Sequence, residues 1–73
     1  MRKDQARIVQ NCLRNDEPVF ALRGNDACVV PALERYFDEC VRNKCKQSFL
    51  DEISEIIEEF KLHQNQEPTH LPD

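Results

Sequence analysis

The stretch Pro18-Val-Phe-Ala-Leu-Arg23 constrains this chain more than any other. It is rich in strand-forming side chains, has no internal glycine or proline, and ends at Gly24-Asn25-Asp26, a strong turn signal. A short strand over Val19–Arg23 is the natural reading. No second segment of that character occurs in the 73 residues. A lone strand leaves its N–H and C=O groups without partners. It must therefore be extended and capped by side chains, or pair with its copy in another subunit.

The rest of the chain reads as helix. There is one glycine, and prolines stand at 18, 31, 68 and 72, dividing the sequence into helix, extended segment, helix, helix and tail. In Asp4–Asn15 the residues Ile8, Val9, Cys12 and Leu13 form one helical stripe, with Asp4 as N-cap and Arg14 at the negative end. Asn15-Asp16-Glu17-Pro18 stops it, because a residue before proline is pushed out of the helical region. Pro31 marks the first helical position of the second helix, where its missing N–H costs nothing, and Asp26–Val29 is then a turn. Val30, Leu33, Phe37, Cys40 and Val41 make its buried face, with Tyr36 alongside. Arg35–Glu39 and Asp38–Arg42 are favourable pairs on the outside, and the helix stops near Lys44 or Cys45.

Ser48-Phe-Leu-Asp51 has the form of a capping box opening a third helix that runs to Lys61 or His63. Leu50, Ile53, Ile57 and Phe60, widened by Ile56, make it the clearest amphipathic segment. The expectation is a mainly α fold. One small helical domain over 1–63, with three short helices and one extended segment, is followed by a disordered polar tail over 64–73.

Charge and cysteine usage remove several functions. Ten basic against fourteen acidic residues give net −4, without the global footprint of a nucleic-acid binder. Residues 1–14 carry +3 and residues 47–73 carry −6, so charge separates along the chain. The basic first helix, with Arg2, Lys3, Arg7 and Arg14, is the one place where a DNA-associated regulator could make contact. A helix-turn-helix around Asn43-Lys-Cys-Lys-Gln47 fails, because its second helix exposes Asp51, Glu52, Glu55, Glu58 and Glu59. No apolar run approaches the ~20 residues of a membrane span, and no apolar stretch follows the basic start as in a secretory signal. A cytoplasmic location follows, with Cys12, Cys28, Cys40 and Cys45 as reduced, small hydrophobes.

Catalytic chemistry finds no footing. Cys40-x4-Cys45 with His63 and His70 has the wrong spacing for structural zinc. Cys28, ahead of the second helix, has no nearby base and is a small apolar residue in Ala-Cys-Val-Val. Adjacent carboxylates such as Glu58-Glu59 diverge on a helix surface, and one glycine cannot make a phosphate loop. The expectation is a protein with no enzymatic activity, cofactor or metal.

Glu17-Pro-Val-Phe-Ala-Leu-Arg-Gly-Asn-Asp26 followed by Val30-Pro-Ala-Leu-Glu-Arg-Tyr36 resembles a pattern in small uncharacterised proteins of bacteria and their mobile elements. In that pattern a Phe-x-Leu-Arg-x-x-Asp segment (here Phe20, Leu22, Arg23 and Asp26) precedes a helix begun by proline (Pro31), and a Leu-Pro-Asp end (Leu71, Pro72, Asp73) closes the chain. The resemblance implies a bacterial source and no activity. Arg23 and Asp26 read as a turn pair.

A chain this short buries only about 60% of the surface its unfolded form exposes. The thin core, the unpaired segment and the apolar stripe of the third helix together predict an interaction or accessory protein that works as a homodimer. The expected interface is Val19, Phe20, Ala21, Leu22, Leu50, Ile53, Ile57 and Phe60, with antiparallel pairing of the extended segments across a two-fold axis. Nucleic acid and membrane are not expected partners.

Overall fold

Val29, Leu33, Phe37 and Cys40 recur at helical spacing, and so do Ile53, Ile56, Ile57 and Phe60; each stripe needs another to cover it. In the computed structural model, which describes residues 3–72, the two stripes cover one another. The helices are α1 (Lys3–Arg14), α2 (Val29–Arg42) and α3 (Gln47–Gln66). Residues 43–46 form so short a connection that α2 and α3 must lie antiparallel as a hairpin. Ile53, Ile56 and Ile57 are buried between them, with Leu33, Phe37 and Phe60 packed against the cluster. Val29 is completely enclosed. Lys61 Nζ reaches Glu34 Oε2 across the hairpin at 3.7 Å, but both side chains are exposed and the pair adds little.

The chain is mainly helical, as expected, with differences at the boundaries. Residues 17–23 belong to no helix or strand, and the single bridge among the described residues joins Asp26 to His70 in parallel. The β-prone composition of Val19–Arg23 therefore yields no strand within one chain, for want of a partner strand.

α2 starts at Val29, two residues ahead of Pro31. Proline is harmless there because the first four N–H groups of any helix lack an internal acceptor. Asp26 sets up the entry instead. Its N–H donates to the Arg23 carbonyl at 3.1 Å, its Oδ1 accepts from the Cys28 N–H at 2.7 Å, and its carbonyl accepts from the Val29 N–H at 3.2 Å. Outside α2, Glu39 pairs with Arg35 at 3.5 Å as expected, but Arg42 joins Glu39 at 2.8 Å rather than Asp38.

Ser48 does not cap α3. The helix begins at Gln47, so Ser48 lies inside the first turn, Lys46 holds the cap position without a side-chain bond, and Gln47 donates to Asp51 at 2.8 Å. At its far end α3 continues to Gln66, three residues beyond the boundary expected at His63. Residues 64–66 are thus helical rather than tail. Gln64 Nε2 donates to the carbonyls of Gly24 (3.2 Å) and Asp26 (2.9 Å), fastening this end of α3 to the turn ahead of α2. The chain then returns along that turn. The Ala27 N–H donates to the His70 carbonyl and the His70 N–H to the Asn25 carbonyl, both at 2.8 Å. Gly24 has no left-handed backbone; what it supplies is room, since a Cβ there would lie 3.0 Å from His63 Cδ2.

α1 and α2 end alike. Cys12-Leu-Arg-Asn15 and Cys40-Val-Arg-Asn43 are each followed by a residue in the left-handed region, Asp16 (φ 54°) and Lys44 (φ 58°). The next N–H then folds back five residues, Glu17 onto the Cys12 carbonyl at 2.8 Å and Cys45 onto the Cys40 carbonyl at 3.0 Å. With Lys44 also bonded to Val41 at 3.0 Å, the end of α2 is a complete Schellman motif built without glycine.

α1 is the unusual element. Among the described residues no Cα of α1 comes within 8 Å of α2 or α3. The surface area of 6110 Å² exceeds the roughly 4,700 Å² of a compact monomer of 8.6 kDa. The radius of gyration, 13.3 Å, exceeds the ~11 Å of a compact chain of this length. The amino-terminal arm, α1 with the segment after it, contributes to both excesses because it stands off the hairpin.

Candidate association surface

The space left by α1 is an apolar groove. Its walls are Gln5, Ile8 and Val9 from α1, Val19–Leu22 from the following segment, Leu33 from α2, and Ile56 and Phe60 from α3; its volume is about 280 Å³. Ile8 and Val9 point across it because they lie on the apolar stripe of α1, yet Ile8 remains 57% exposed. Phe20 is 85% exposed at the lip. It also edges a second, more polar hollow of about 660 Å³ against Arg23, Asp26, His70 and Leu71. Among the described residues, no backbone hydrogen bond involves Val19, Phe20, Ala21 or Leu22. An exposed aromatic, an open apolar groove and unbonded backbone thus meet within one short segment.

The eight residues expected at an interface divide into three groups. Val19, Phe20, Ala21 and Leu22 are exposed and lie together on the groove. Ile53 and Ile57 are buried inside the chain itself, where α2 covers them, so the stripe of α3 is largely spent on the internal core. Leu50 is half-buried, and Phe60 is half-buried between core and groove. Ile8 and Val9 enter the surface although sequence reasoning placed them only on a generic helical stripe. Nothing local to residues 4–15 says that the stripe would face a gap rather than a neighbour.

The thiols separate by environment. Cys12 and Cys40 are buried, Cys45 is half-buried, and Cys28 is exposed rather than a core residue. Cys12 Sγ donates to Glu17 Oε2 at 3.1 Å, and this bond to a carboxylate, with burial, pushes the thiol pKa up. Cys45 is pushed up by burial first and then by the neighbouring Cys40 thiol. Partial burial raises Tyr36 above the ordinary phenol range, helped by the nearby Cys40 thiol. Among the described residues no group of three or more His, Cys, Asp or Glu side chains could hold a metal ion. Cys40 and Cys45 lie at the closed end of the hairpin, whereas His63 and His70 lie at its open end, beside Gly24 and Asp26.

Arg7 and Arg14 are exposed on α1, while Arg2, Asp73 and the side chain of Lys3 lie outside the described residues. The acidic face of α3, with Asp51, Glu58 and Glu59, borders a wide shallow depression. No helix among the described residues is long and apolar enough to cross a membrane. Comparison with family models, with curated proteins and with solved structures finds no match.

Proposed function

We propose that this protein is a non-enzymatic association module of the cytoplasm that acts as a homodimer through the Val19–Leu22 segment and the groove beside it. The observation that carries this reading is Phe20, 85% exposed on unbonded backbone at the lip of an apolar groove. A standard interface removes about 800 Å² from each partner. The chain carries roughly 1,400 Å² more surface than a compact monomer of its mass, enough to supply that area.

A second copy fits as the occupant because the segment complements itself. Antiparallel pairing about a two-fold axis at Phe20 sets Phe20 opposite its copy, Val19 opposite Ala21, Pro18 opposite Leu22, and Glu17 opposite Arg23. Opposite charges then meet at both ends. If Phe20 occupies a non-hydrogen-bonded pair, Pro18 does too, and its missing N–H is not needed. The Val19 and Ala21 main chains exchange the central bonds.

Amide hydrogen exchange tests the pairing. The Val19 and Ala21 amides are expected to be protected at high protein concentration, to lose protection on dilution, and to lose it at every concentration in Phe20→Asp. Unprotected amides in a concentrated sample refute it. The resemblance to small bacterial and mobile-element proteins, which brings no activity with it, is compatible with this role. The DNA-associated alternative would use Arg7 and Arg14, but net −4 and the acidic face of α3 oppose it.

A further inference from the structure

The two alike helix ends differ at one informative position. In a Schellman motif the residue after the left-handed one is folded against the residue five before it, and their side chains commonly touch. α1 shows how close that contact comes in this chain: Cys12 Sγ lies 3.1 Å from Glu17 Oε2, beneath the backbone bond from Glu17 to Cys12. At the end of α2 the same backbone bond joins Cys45 to Cys40 at 3.0 Å, with Lys44 in the left-handed conformation that Asp16 has in α1. Here both positions are cysteine. Both sulfurs are free, and the Cys40 thiol is close enough to help raise the pKa of the Cys45 thiol.

We propose that Cys40 and Cys45 form a reversible dithiol–disulfide site that locks the end of α2 onto the hairpin turn, with a small-molecule disulfide such as oxidised glutathione as oxidant. The half-buried Cys45 is the accessible member and reacts first, while Cys40 is buried. The Cys45 thiol loses its proton, and its sulfur attacks one sulfur of glutathione disulfide. The glutathione S–S bond breaks, one glutathione thiolate leaves, and a mixed disulfide remains on Cys45. The Cys40 thiol then loses its proton, and its sulfur attacks the Cys45 sulfur, expelling the second glutathione thiolate. The protein has lost two electrons and two protons, and one glutathione disulfide has become two glutathione thiols. The backbone bond from the Cys45 N–H to the Cys40 carbonyl already holds the two residues side by side before oxidation. Cys12 has a carboxylate as its cap neighbour and Cys28 is exposed at the opposite end of α2, so neither competes for either sulfur.

The test equilibrates the native full chain with buffers of graded reduced-to-oxidised glutathione, quenches with acid, alkylates the remaining thiols and maps the tryptic peptides. Cleavage after Arg35, Arg42, Lys44 and Lys46 leaves peptides 36–42 and 45–46 joined only if the bridge has formed. The expected product is a chain with no interchain disulfide, with that peptide pair linked, two hydrogens lost at Cys40 and Cys45, Cys12 alkylated, and the exposed Cys28 either alkylated or carrying glutathione. In denaturant the same bridge is expected to need a buffer about tenfold more oxidising, because the folded cap no longer supplies the loop closure. A stable glutathione adduct on Cys45, links involving Cys12 or Cys28, four alkylated thiols in the fully oxidised buffer, or an identical midpoint with and without denaturant would each overturn the proposal.

Discussion

Replacing Ile57 by alanine probes the hairpin core, the part of the molecule on which everything else is mounted. Ile57 is 7% exposed and sits in a buried cluster whose other members are Ile53 and Ile56. Truncating a buried isoleucine to alanine costs about 2–5 kcal/mol, depending on how far the surroundings collapse into the gap. Ile57 also lines a surface hollow of about 280 Å³ with Phe37 and Lys61, so neighbouring side chains have freedom to move in. The expected loss is therefore in the lower half of that range, about 3 kcal/mol. A 73-residue chain holds about 4–11 kcal/mol in total, so one substitution removes between a quarter and three-quarters of it. The melting temperature should fall by about 12–24 °C. Thermal unfolding followed by far-ultraviolet circular dichroism measures this, with both proteins at the same concentration because association shifts apparent stability. Leu13→Ala is the companion: Leu13 is 71% exposed and should change stability by less than about 0.5 kcal/mol. A loss below about 1 kcal/mol for Ile57→Ala, or equal losses for the two variants, would refute the placement of the core.

Three further substitutions test the connections. Lys44→Gly should stabilise the chain by about 1 kcal/mol, since lysine at φ 58° carries a steric cost that glycine escapes; a denaturant midpoint that falls instead would contradict the cap. Gln64→Ala removes both side-chain bonds from α3 to the Gly24 and Asp26 carbonyls, at a cost of about 1–2 kcal/mol. It should speed exchange of the Ala27 and His70 amides, and unchanged exchange there would show that the carboxyl-terminal segment is held by something else. The third concerns pH. The Cys12 thiol is raised because Glu17 accepts its proton, so the folded chain holds that proton more tightly than the unfolded chain. The stabilising contribution is complete below the ordinary thiol pKa of about 8.5 and is lost as pH rises through the higher folded value. Glu17→Gln should bring this alkaline loss to lower pH and quicken alkylation of Cys12 in mildly alkaline buffer. A Cys12 alkylation profile identical in the two proteins would exclude the carboxylate as the cause.

The helices were legible because their apolar residues recur at a spacing only a helix can use. Leu33 and Phe37 face Ile53 and Ile57 for that reason, and the short link at 43–46 leaves only an antiparallel hairpin. Boundaries were less legible where the deciding bond is made by a distant partner. Gln64 looks like tail until the Gly24 and Asp26 carbonyls are seen above it, and the return of His70 to Asn25 and Ala27 is made entirely by main chain. Ser48 carried a capping signal that the helix bypassed by starting two residues earlier, with Lys46 at the cap position. The two helix ends were placed within a few residues, but their shared cap was hidden because Asp16 and Lys44 occupy positions where glycine would have announced the motif. For the association surface, the unpaired segment at Val19–Leu22 was visible as a local excess of strand-forming residues. Ile53 and Ile57 are consumed internally because α2 covers them, whereas whether Ile8 and Val9 face a gap depends on how the arm stands relative to the hairpin. That is a tertiary fact with no local signature.

The proposed homodimer depends on one surface that a single chain leaves open, the Val19–Leu22 segment with its groove. Sedimentation equilibrium over a wide dilution series measures this most directly, with Phe20→Asp run beside the parent. A homodimer requires twice the 8.6 kDa chain mass at high concentration, dissociation on dilution, and a monomer at all concentrations for the variant. A parent protein that sediments at the mass of one chain throughout, with its melting temperature independent of concentration, would contradict it.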